Sequence, residues 1–170
     1  MSEKYLVIDH LKLGYDGLFN AAEVYNLINS WFFTKGWDWH EKVNMERITP
    51  DGKQIHQIFW PWKSVTDFYK IIMHIRVNMI DVKEVEVEKD GKRLRLNQGS
   101  LKITIDGYVL ADRNDLWTNK PFTWWFTVMA QKFFFRNHYQ KIETWIKGDV
   151  EDLHGRLKRY LNTFKYTYQT

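Results

Sequence analysis

The sequence predicts an α+β fold: a curved sheet of seven antiparallel strands wrapped around one long C-terminal helix, with one further helix after the first strand. Three observations carry that expectation. Through most of residues 37–110 apolar residues recur at every second position, with turn-forming residues between the runs, as half-buried antiparallel strands require. One well-capped helical segment precedes this stretch. A second helical pattern follows it, where Val150, Leu153, Leu157, Tyr160, Leu161 and Phe164 form a single apolar stripe with Arg156, Lys158 and Arg159 between them. The 170 residues suit one domain spanning the whole chain, with no internal repeat, low-complexity segment or flexible linker.

In chain order, residues 5–13 read as the first strand, closed by the turn Gly14-Tyr15-Asp16-Gly17. Asn20 with Glu23 three positions on makes a capping-box pattern, and Phe19 with Val24 a hydrophobic staple, so the first helix starts at Asn20 and stops at Gly36. From Trp37 the odd positions Trp39, Glu41, Val43 and Met45 are expected inside, with the even positions wet. Thr49-Pro50-Asp51-Gly52 turns the chain into a strand over residues 53–62. Its inward face stays open between Ile55/Gln57/Phe59 and His56/Ile58/Trp60, and Pro61 ends or bulges it.

Residues 68–79 read as a long strand with Tyr69, Ile71, Met73, Ile75 and Val77 on one face. A separate strand at residues 81–88 and the hairpin turn Lys89-Asp90-Gly91-Lys92 lead to residues 93–96. Asn97-Gln98-Gly99-Ser100 is a further turn, and the last strand carries Leu101, Ile103, Ile105 and Val109, with Gly107 allowing a bend or a close approach of the helix. In residues 121–147, Phe122, Trp125, Phe126, Met129, Ala130 and Phe133 fit a helix, although Phe122, Trp124, Phe126 and Val128 also fit a strand. Length favours helix. That helix is expected to bend at Gly148 into the final one, which opens at Asp149 as N-cap with Glu151 and Asp152 in its first turn.

Composition narrows the function. Aromatic residues make up 17% of the chain, with nine Trp and eleven Phe, enough to fill a wide core or line a cavity. The net charge of +4 is spread among interspersed acids and bases, which permits an anionic partner without requiring one. The absence of Cys excludes disulfides, thiol catalysis and thiolate metal sites. The opening MSEKYLVIDH has no basic-then-apolar leader pattern and no uncharged run reaches membrane-spanning length, so a soluble cytoplasmic protein is expected. The abundance of charged pairs fits a thermophile.

The order strand, helix, six strands, helix resembles the helix-grip fold of the START-like or SRPBCC superfamily. The aromatic stretch leading into DVEDLHGRLKRYLN is similar in texture to uncharacterised archaeal members of that group. The resemblance implies a cavity between the sheet and the last helix, against Trp125, Met129, Leu153, Leu157 and Tyr160, that takes a hydrophobic small molecule or lipid without catalysis. The chain departs from the plant-allergen branch in its single helix after strand one and in lacking a glycine-rich phosphate-type loop.

Individual residues add less. The six His are scattered with no HxH or HxxxH pairing, so no metal site announces itself, no serine lies in a nucleophile elbow, and no cofactor motif is present. Glu41 interrupts an apolar face, where burial would raise its pKa and suit a ligand hydroxyl or a cyclase-like general acid; the plain alternative is a rim position or a pair with Arg47 or Arg76. Trp39, Met45, Met73, Ile75, Met79, Trp125 and Met129 line a pocket or simply fill the core. Trp124, Lys132, Phe134, Phe135, Arg136 and Lys141 set aromatics beside bases, the pattern of a surface that docks on RNA, a ribonucleoprotein or a membrane, or else of a buried helix with snorkelling basic ends.

Overall fold

Asn20 divides the first strand from the first helix in the computed structural model, which describes residues 3–111, 129 and 136–168. Before it, β1 (Glu3–Phe19) runs extended for 17 residues. After it, α1 (Ala21–Thr34) opens with the Asn20 side chain accepting from the backbone N–H groups of Ala22 and Glu23 at 3.1 and 3.3 Å. Those are donors that a helix start otherwise leaves unpaired. Phe19 and Val24 are both fully buried, and the helix ends ahead of Gly36, as expected. The turn expected at residues 14–17 does not form, because Gly14, Tyr15, Asp16 and Gly17 pair with Lys102, Leu101, Ser100 and Gly99.

The remaining elements are β2 (Glu41–Thr49), β3 (Gly52–Phe59), β4 (Trp62–Ser64), β5 (Tyr69–Lys89), β6 (Lys92–Ala111) and α2 (Arg136–Tyr168). All strand pairings are antiparallel in one curved six-stranded sheet of order β1-β6-β5-β3-β2, with β4 on β5 beyond the end of β3. Among the described residues the expected seven strands are thus corrected to six. The segment 81–88 continues β5, and 93–96 joins 101–109 as one β6, the two strands staying in register from the Tyr69–Ala111 pair to the Lys89–Lys92 pair apart from one shift between Ile80 and Lys83.

That shift explains the misplaced turn at Asn97-Gln98-Gly99-Ser100. Asp81 sits at φ +55° in a bulge of β5, and the neighbouring backbones press on it from both sides. A Cβ on Gly99 would lie 2.8 Å from the Ile80 carbonyl oxygen, and one on Gly52 would lie 2.8 Å from the Asp81 carbonyl carbon. Gly99 is needed for close approach, not for a turn, whereas Gly52 serves both that approach and the hairpin loop, where its φ is +140°.

A second bulge sets the faces of β2. Glu41 is paired with Phe59 but Val43 with Ile58, so Lys42 is the extra residue. Beyond it Val43, Met45 and Arg47 lie opposite Ile58, His56 and Gln54, on the sheet face turned away from the helices, while Asn44 and Glu46 share the inner face with Gln57 and Ile55. The expectation that the odd face of this strand is buried is therefore corrected: Met45 is 60% exposed. The open question for β3 resolves as Gln57 and Phe59 inward, through the two-residue loop between Thr49 and Gly52.

The core lies between the inner face of the sheet and both helices. Ile71, Met73, Ile75, Val77, Leu101, Ile103 and Ile105 are buried against Ile142, Ile146, Val150, Leu153, Leu157 and Leu161, whose three- and four-residue spacing is one helical stripe. Gly107 admits the helix closely, since a Cβ there would meet Ile146 Cδ1 at 3.2 Å. Because the stripe starts at Ile142, α2 is continuous for 33 residues through Gly148, so no second helix opens there and Asp149 is not an N-cap. Asp149 and Asp152 are hooks instead. They accept the indole N–H groups of Trp37 at 3.2 Å and Trp31 at 2.7 Å, with Lys35 at 3.6 and 3.8 Å, and so tie α1 and its following loop to α2. The Trp31 hydrogen bond, aided by Arg156 and Lys35, holds the Asp152 carboxyl below its usual range. The helix expected over residues 121–135 lies outside the described residues apart from Met129, which is helical. Among the described residues, no helix is long and apolar enough to cross a membrane.

Replacing Gly99 by Ala is expected to lower stability by about 2 kcal/mol, because backbone must move; an unchanged urea midpoint would show that the β5 bulge yields freely. Trp31→Phe is expected to cost about 1 kcal/mol, the low end for a bond to a partly exposed carboxylate. Since the folded Asp152 pKa is lowered, this contribution is present at neutral pH and fades as the pH falls through the folded value, so denaturation curves of the two proteins should converge in acid.

Candidate functional site

Among the described residues, those expected to line a cavity are packed or dispersed. Met73, Ile75, Leu153 and Leu157 are 0% exposed, so none of them turns any surface toward a space large enough for water. Trp39 belongs to an aromatic cluster in front of β2, its ring 4.7 Å from that of Phe59 and 5.7 Å from that of Phe32. Tyr160 is half-buried and donates to Glu23 at 2.7 Å, and burial with this acidic acceptor pushes its phenol far up. Met129 is 44% exposed, and Trp125 lies outside the described residues. Glu41 is exposed, not desolvated, and accepts from Tyr25 Oη at 3.0 Å rather than from Arg47 or Arg76. Burial, with Glu41 adding to it, pushes the Tyr25 phenol up. Of the aromatic and basic surface expected near the C-terminal third, only the side chain of Lys141 falls among those described, and it is exposed.

An open cleft of about 390 Å³ lies elsewhere, between the first turn of α1 and the inner face of β2, β3 and β5. The Lys42 bulge makes it, because it turns the polar Asn44 and Glu46 toward the side on which α1 stands. Half-buried Ile55 gives the cleft its apolar surface, backed by Met79 and Val82, which are 1% and 2% exposed. Its rim is polar: Lys53 Nζ reaches Glu46 at 3.3 Å, and Asn97 Oδ1 accepts the Ala21 N–H at 2.9 Å. Gln57 is 8% exposed, and its Nε2 donates to Asn44 Oδ1 at 3.2 Å, yet its buried Oε1 has no hydrogen-bond partner among the described residues. An unmet buried amide oxygen costs about 1–3 kcal/mol. Turning the amide over would exchange the unmet end without removing it. The sequence reading puts Asn44 on the wet face and leaves Gln57 in one of two open inward sets, because an alternating pattern gives polarity but not face once a bulge intervenes. A second groove of about 510 Å³ beside α2, lined in part by Lys63, Trp145 and Asp149, has no such unmet group among the described residues.

The opposite face of the sheet carries a different constellation. Trp60 stacks on His74 with centroids 4.5 Å apart and planes 14° apart, and His74 lies 4.7 Å from Tyr108. Lys42 Nζ stands 5.0 Å from the Trp60 ring and Lys4 Nζ 3.8 Å from that of Tyr108. Beneath them Asp106 is 4% exposed and bonded to Arg76 at 2.7 Å and to the His10 N–H at 2.7 Å. With Asp9, also in contact with His10, these form an Asp9-His10-Asp106 group whose donor atoms all lie within 4.8 Å of one another. Sequence spacing gave no hint of this grouping, because Asp106 reaches the Asp9-His10 pair only through the β1–β6 pairing; both of its oxygens are already engaged.

No protein-family model matches the chain, and no curated protein or solved structure matches it either.

Burial above all, with Lys4 and Arg76 adding and Asp106 opposing, lowers the His74 pKa. The unfolded chain then takes up a proton that the folded one resists, so stability should fall as the pH drops below about 6.5, the ordinary His value. His74→Phe keeps a ring between Trp60 and Tyr108 and should flatten the acid side of a plot of urea midpoint against pH; an unaltered slope would assign that loss to other groups.

Proposed function

We propose that the protein binds an amphipathic small molecule without catalysis, in the cleft between α1 and the inner face of β2, β3 and β5. The observation that carries this reading is Gln57, an almost fully buried amide with an unmet oxygen beside the apolar surface of Ile55, backed by Met79 and Val82. A ligand hydroxyl or N–H entering next to Asn44 satisfies the Gln57 amide, and its apolar body covers that surface. The size of the cleft suits a single lipid-like or polycyclic molecule in part, with the remainder at the polar rim. The order of elements, with its resemblance to helix-grip proteins, supports small-molecule binding by analogy of fold alone. Because the described core under α2 is filled, the ligand site of this reading is the α1 cleft and not the space between sheet and C-terminal helix.

Native mass spectrometry of the purified protein, followed by organic extraction, tests the proposal. Wild type should carry or take up an apolar molecule bearing at least one donor group. Ala22→Trp, an exposed position at the mouth of the cleft, should abolish uptake while leaving the fold intact by circular dichroism. Gln57→Leu should raise stability in the free protein and weaken retention. Uptake undiminished in folded Ala22→Trp would place the ligand elsewhere, and no uptake from a panel of fatty acids, sterols and isoprenoid alcohols at saturating concentration would remove the reading.

A further inference from the structure

From the outer face of the sheet we infer that it is a binding surface for single-stranded nucleic acid. The rings of Trp60, His74 and Tyr108 cross three consecutive stretches of the sheet as one stripe, and a lysine ammonium stands at each end, Lys42 over Trp60 and Lys4 over Tyr108. Lys70 lies 3.5 Å from the ring of Trp62 in the neighbouring row. Aromatic faces flanked by cations are what a strand of unpaired bases uses, because bases stack on rings regardless of sequence while the phosphates track the lysines.

Charge complementarity selects the occupant. Lys4 and Lys42 are exposed and Trp60 is 37% exposed, so both ends of the stripe reach solvent, with His74 and Tyr108 half-buried between them. Its buried carboxylate, Asp106, is neutralised by Arg76; Asp9 contacts His10 at the margin, and Asp38 is bridged to Trp62 in the neighbouring row, where Lys70 stands over the Trp62 ring. A sheet face offers no protruding helix to enter a duplex groove, so the bases have to be free already. Trp60 and His74 stack most nearly parallel, which leaves the other side of the indole, where the Lys42 ammonium stands 5.0 Å from the ring, as the first base position.

The test is fluorescence anisotropy of a labelled oligouridylate and oligothymidylate, with a duplex of equal length and phosphatidylserine vesicles as competitors. Both single strands should bind, and affinity should fall steeply as salt rises. Trp60→Ala, and separately Lys4→Glu with Lys42→Glu, should each weaken binding by about tenfold, and the lysine pair, being exposed, keeps the fold if Trp60→Ala does not. Lys158→Glu, the same charge change at an exposed position of α2, should leave affinity unaltered. Absence of binding at low salt, equal loss in Lys158→Glu, equal affinity for the duplex, or preferential capture by the vesicles would each overturn the inference.

Discussion

Along α2 the side chains of Ile142, Ile146, Val150, Leu153, Leu157 and Leu161 turn almost no surface to water, and they lie against strands whose inward residues are equally buried. Each such side chain contributes roughly 1.5–3 kcal/mol on leaving water. Their sum outweighs the cost of about 1 kcal/mol for a glycine inside a helix, which is why Gly148 passes without a break. The same burial brings Asp149 and Asp152 to the side of α1, where they receive two indole N–H groups. Residues that look like the start of a helix thereby become the clasp between two helices.

Sheet irregularities decide which chemistry appears on which face. At Lys42 one extra residue turns Asn44 and Glu46 inward and Met45 outward, and the α1 cleft acquires polar groups that regular alternation would have left in solvent. At Asp81 another extra residue keeps β5 and β6 paired along their full length, held between the bare backbones of Gly52 and Gly99. The shifts in β1 around Ile8 bring the His10 N–H onto Asp106 and so complete the support under the outer aromatic stripe. None of these devices adds much stability by itself; each re-aims side chains.

The two faces of the sheet consequently present different chemistry. On the inner side, apolar residues meet one buried amide whose oxygen has no partner among the described residues, the feature on which the proposed ligand site rests. On the outer side, rings and ammonium groups satisfy one another in the open, and the carboxylate beneath them is already neutralised. Apolar burial on one face and exposed cation–aromatic contact on the other respond oppositely to salt. The two surfaces can therefore be separated experimentally without altering the chain.

By itself the sequence determined the elements whose signals are local. Asn20, Phe19 and Val24 mark the start of α1, because capping and stapling involve neighbours within one turn. Lys89-Asp90-Gly91-Lys92 marks the hairpin, and the odd positions from Tyr69 to Met79 mark one buried face. Tertiary structure decided everything that depends on a partner distant in sequence. Gly99 looks like a turn until the Ile80 carbonyl lies 2.8 Å from where its Cβ would be. Asp149 looks like a cap until Trp37 and Trp31 arrive, and Met45 looks buried until the bulge at Lys42 is placed opposite Phe59 and Ile58, whereas Glu41, ahead of the bulge, keeps the side of α1 and is exposed beside Tyr25. A one-residue bulge inverts every side chain beyond it, and nothing in local hydropathy distinguishes the two parities. Only the pairing of strands does.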